Sequence, residues 1–84
     1  MAKTDKDVYQ DGIQRFVKLA NEMKDEGIDT RVVSSSLMSA SAVFAIYAMV
    51  GNEGLLTPAG LDKVTEAYRQ RLDQIQQAKK ERKS

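Results

Sequence analysis

Three consecutive serines, Ser34-Ser35-Ser36, stand close to the predicted start of a central helix. Hydroxyls near a helix N-terminus can hold an anion or accept a phosphate, and serine also occurs there simply as a capping and packing residue. Four carboxylates, Glu22, Asp25, Glu26 and Asp29, gather just before it. They could hold a cation loosely, but the ligand spacing of a calcium loop is missing, so a solvated acidic surface is the simpler reading. The chain contains no His and no Cys. A nucleophile would have to be Ser or Thr with a Lys or carboxylate base, and no glycine-framed nucleophile turn is present. Neither a Gly-x-x-x-x-Gly-Lys loop nor a Gly-x-Gly-x-x-Gly turn occurs. The expectation is a protein that is not an enzyme, with no catalytic residue, no cofactor, no metal site and no small-molecule substrate.

The basic residues offer a different chemistry. Lys79, Lys80, Arg82 and Lys83, with Arg69 and Arg71 one or two turns earlier, could contact phosphates, which makes nucleic-acid binding the alternative function. Against it, a DNA-reading helix needs a polar, basic exposed face, whereas the central helix is apolar and the last one mixes Asp and Glu with its basic residues. The overall balance, 13 Lys and Arg against 12 Asp and Glu, gives a net charge of +1 and no strong field. The charge is polarised all the same, with residues 1–29 leaning acidic and the C-terminal end basic.

Eighty-four residues suffice for one modest core, so residues 1–78 are read as a single helical domain and 79–84 as a basic, frayed tail. The opening Met1-Ala2-Lys3-Thr4-Asp5-Lys6-Asp7 lacks the apolar segment of a secretory leader, and without cysteine the chain suits the cytoplasm. The most apolar run, Ala42 to Val50, falls short of the roughly 20 residues that cross a bilayer, and backwards it meets Ser41, Ser39 and the serine trio. It reads as a buried core helix, with no membrane role.

Two glycine signals, Gly27 and Gly51-Asn52-Glu53-Gly54, divide the chain, and between them apolar residues recur at helical spacing. The spacing predicts an all-α fold, a three-helix antiparallel bundle with short connections near 27–29 and 51–57. The first helix runs from about Asp5 to Glu26, with Tyr9, Ile13, Phe16, Ala20 and Met23 on one stripe and Gly27 in the left-handed position beyond its end. The third starts at Thr57-Pro58, a capping threonine followed by a proline suited to the first helical position, and presents Leu61, Val64, Tyr68, Leu72 and Ile75.

The second helix, about Thr30 to Val50 with Asp29 as its cap, is apolar on two faces. Val33, Leu37, Ala40, Phe44 and Tyr47 form one stripe; Met38, Ala42, Ala45 and Met49 form another roughly opposite. A helix apolar all round must be covered all round, and two single-stripe neighbours cover only part of it. Met38, Ala42, Ala45 and Met49 are therefore the expected interface, toward a second copy of the chain or another bacterial protein. The competing possibility is that the Gly51–Leu56 loop folds back and covers this face with Leu55 and Leu56.

Phe16-Val17-Lys18-Leu19-Ala20-Asn21-Glu22, then Val33-Ser34-Ser35-Ser36-Leu37-Met38 with Ala40 and Phe44, and later Tyr68-Arg69 with Leu72, carry a resemblance. Over residues 9–75 the chain resembles a small uncharacterised bacterial family of short helical proteins, the domain of unknown function 3144 type. The resemblance implies a short cytoplasmic helical protein and brings no assigned activity, cofactor or catalytic residue. By elimination, the expected function is a small interaction module, adaptor or regulatory subunit acting through helix packing.

Overall fold

A computed structural model of the chain describes residues 4–83, with every side chain in that range except that of Lys83. Its elements are three helices, α1 Asp5–Asp25, α2 Thr30–Val50 and α3 Pro58–Lys83, and no strand occurs among the described residues. The all-α class and both connections are where the hydrophobic spacing puts them. The chain resolves into two compact units, Met1–Ala42 and Val43–Ser84, with the division falling within α2.

The first unit shows why α1 begins and ends where it does. Thr4 closes a capping box: its Oγ1 accepts from the Asp7 amide at 3.2 Å, and the Asp7 carboxylate accepts from the Thr4 amide at 3.3 Å. Free amides at the helix start are thus satisfied by side chains. At the other end Gly27 takes φ 97°. Its amide donates to the Lys24 carbonyl at 2.9 Å and that of Ile28 to Met23 at 3.3 Å, the paired bonds of a Schellman ending. Asp29 then starts α2, its Oδ1 accepting from the Arg31 amide at 2.8 Å. Within this unit Val33 is buried, at 7% exposure, and Ala20, Met23 and Ile28 are half-buried. Apart from half-buried Gly12, burial is confined to residues flanking the Gly27 turn.

In the second unit α2 ends on Gly51, at φ 78°, whose amide donates to the Tyr47 carbonyl at 2.8 Å. The chain then doubles back so closely that a Cβ on Gly54 would overlap the Val50 carbonyl oxygen and lie 2.6 Å from the Val50 Cβ. Only glycine fits that approach. Thr57 caps α3 by accepting from the Gly60 amide at 3.1 Å, and Pro58 takes the first helical position. Leu56 lies over this start, its Cδ2 3.3 Å from where a Cβ on Gly60 would stand.

The helix α3 continues through the basic segment to Lys83, beyond residue 78, where the apolar stripe gives out. The Gln, Ala, Lys, Glu and Arg that fill this end are all strong helix formers, so local propensity carries the helix past its packing face. Ser84, the last residue of the expected frayed tail, lies outside the described residues.

One expectation needs correction. The stripes read as buried are largely in the open: on α1 Tyr9, Ile13 and Phe16, and on α3 Tyr68, Leu72 and Ile75, are exposed. The run expected to be a buried core helix is open too, with Phe44 at 74% exposure and Val43, Tyr47 and Met49 at least half exposed. Helical periodicity shows which side chains want cover but not whether one copy of the chain can supply it.

Candidate interaction surface

The helix α2 runs unbroken from Thr30 to Val50. At steps of four, three and four residues, Met38, Ala42, Ala45 and Met49 share one of its faces. Met38 is 56% exposed, Met49 51%, Ala42 is exposed and Ala45 half-buried. The same steps carried backwards reach Ser35 and Arg31, both exposed. These two residues extend the stripe and were missed because the sequence reading followed apolar residues alone. From Val32 to Val50 the helix carries no Asp, Glu, Lys or Arg.

The loop does not close over this face. Leu55 is 87% exposed, and the half-buried Leu56 is engaged at the start of α3, so the fold-back alternative loses both of its covering side chains. By length and composition α2 also meets what a bilayer crossing needs. The serines that precede the apolar run are uncharged and do not break the longer one.

The other sequence-level candidates separate in space. Ser34, Ser35 and Ser36 are exposed on the first turns of α2, but the Asp29 carboxylate already sits at that helix end and would repel an anion there. Among the described residues no three carboxylates come together as a metal site. On α3, Arg69 and Lys80 fall roughly three turns apart on one face, while Arg71 and Arg82 fall together on another. The Arg69 side also presents Asp62, Glu66 and Asp73, and Asp73 lines a shallow surface depression with Gln76, Gln77 and Lys80. Arg71 donates to the Gln74 side chain at 3.1 Å. Lys79 is exposed near the end of α3, and the Lys83 side chain lies outside what the structure describes. Arg69, Arg71, Lys79, Lys80 and Arg82, the residues named for nucleic acid whose side chains are described, therefore do not form one basic face.

Because residues 79–84 add no apolar side chain, deleting them should change stability by no more than about 0.5 kcal/mol, the range of unburied surface changes. Thermal unfolding followed by circular dichroism checks this. A large loss of stability would give the tail a packing role that the exposure of Lys79, Lys80 and Arg82 does not foretell.

The profile of a family described as proteins of unknown function, DUF3144, matches residues 9–77. The chain belongs to that family. No curated protein matches it, and no solved structure does. The family region takes in all of α2 and its stripe and ends before Lys79, so the basic end of α3 lies outside it. Membership in DUF3144 brings no activity to test against the surface, and the case for function rests on the residues themselves.

Proposed function

We propose that this DUF3144 protein is a helix-packing interaction module, an adaptor or small regulatory subunit whose working surface is the Met38, Ala42, Ala45 and Met49 face of α2. One observation carries the reading: α2 is a long helix with no charge after Arg31, yet among the described residues Val33 alone is buried. Exposed apolar surface on this scale is costly in water and marks an interaction site. The mixture of residues suits helix packing. Alanines let a second backbone come close, and the flexible thioethers of methionine fill whatever gaps remain.

The test uses the absence of native cysteine. A Met38→Cys protein, expressed at low level and labelled with a maleimide in gently opened cells, is expected to react far more slowly than the same protein in urea. Labelling at the unfolded rate would show that nothing covers this face and would sink the reading.

A further inference from the structure

We draw no further inference here: the strongest candidate, the largely exposed face of α2 that bears Met38, Ala42, Ala45 and Met49, carries nothing beyond the interaction reading because nothing in the structure shows what covers it.

Discussion

Replacing Met38 and Met49 together by aspartate is expected to release any protein that covers this face, leaving a particle near the single-chain mass of 9.4 kDa while the helices persist. Full burial of a methionine side chain is worth about 1.5–3 kcal/mol, and this face carries two of them. Even if only half of the lowest value is realised at each site, the loss reaches about 1.5 kcal/mol, a weakening of roughly tenfold. The new carboxylates add a further penalty, since an unpaired charge cannot be buried cheaply. Both methionines are more than half exposed in the single chain, so the substitution leaves little internal packing to damage. Light scattering across a dilution series reads the mass, and circular dichroism reads the helix. An unchanged mass with unchanged helicity would show that this stripe holds nothing together. The Leu37→Asp protein is a useful contrast: it lies on the Val33 stripe, and its larger effect should fall on folding rather than on assembly alone.

The Gly54→Ala protein is expected to be less stable by about 1–3 kcal/mol, the usual cost of forcing an extra carbon into a filled position. The contact is with the Val50 carbonyl and the Val50 side chain, and the carbonyl belongs to backbone that cannot swing aside, so the return of the chain after α2 must open. For a chain of this size that corresponds to a midpoint lower by roughly 5–20 °C in thermal unfolding. Gly12→Ala provides the opposite sign. Gly12 is inside α1, a Cβ there meets nothing within 4 Å, and alanine is favoured over glycine in a helix interior by about 0.5–1 kcal/mol. Equal midpoints for the two variants would remove the close approach at Gly54 from the account of the fold.

The helices were legible because their signals are local. Thr57-Pro58, Asp29 and Gly27 act on amides and carbonyls within a turn of themselves, and the hydrogen bonds at all three places are made as the residue types predict. The capping box at Thr4 and Asp7 was equally readable from its spacing, although the hydrophobic pattern drew attention only to where α1 starts. The candidate surface was half legible. Met38, Ala42, Ala45 and Met49 follow from helical period alone; Arg31 and Ser35, on the same steps, do not attract notice in a search for apolar residues.

What the sequence by itself determined, then, is helix type, the ends of α1 and α2 and the start of α3, and which side chains share a face, all consequences of bonds and angles spanning a few residues. Where α3 stops already escaped it, because propensity without burial carried the helix to Lys83. Which faces are covered was decided only in three dimensions, since burial depends on what the rest of the chain can bring to a surface. Leu55 and Leu56 differ by one position in the sequence; the fold leaves the first in solvent and settles the second against the start of α3. The same holds for α2: the apolar circumference is written in its residues, but that a single copy leaves most of it open is a property of the folded chain.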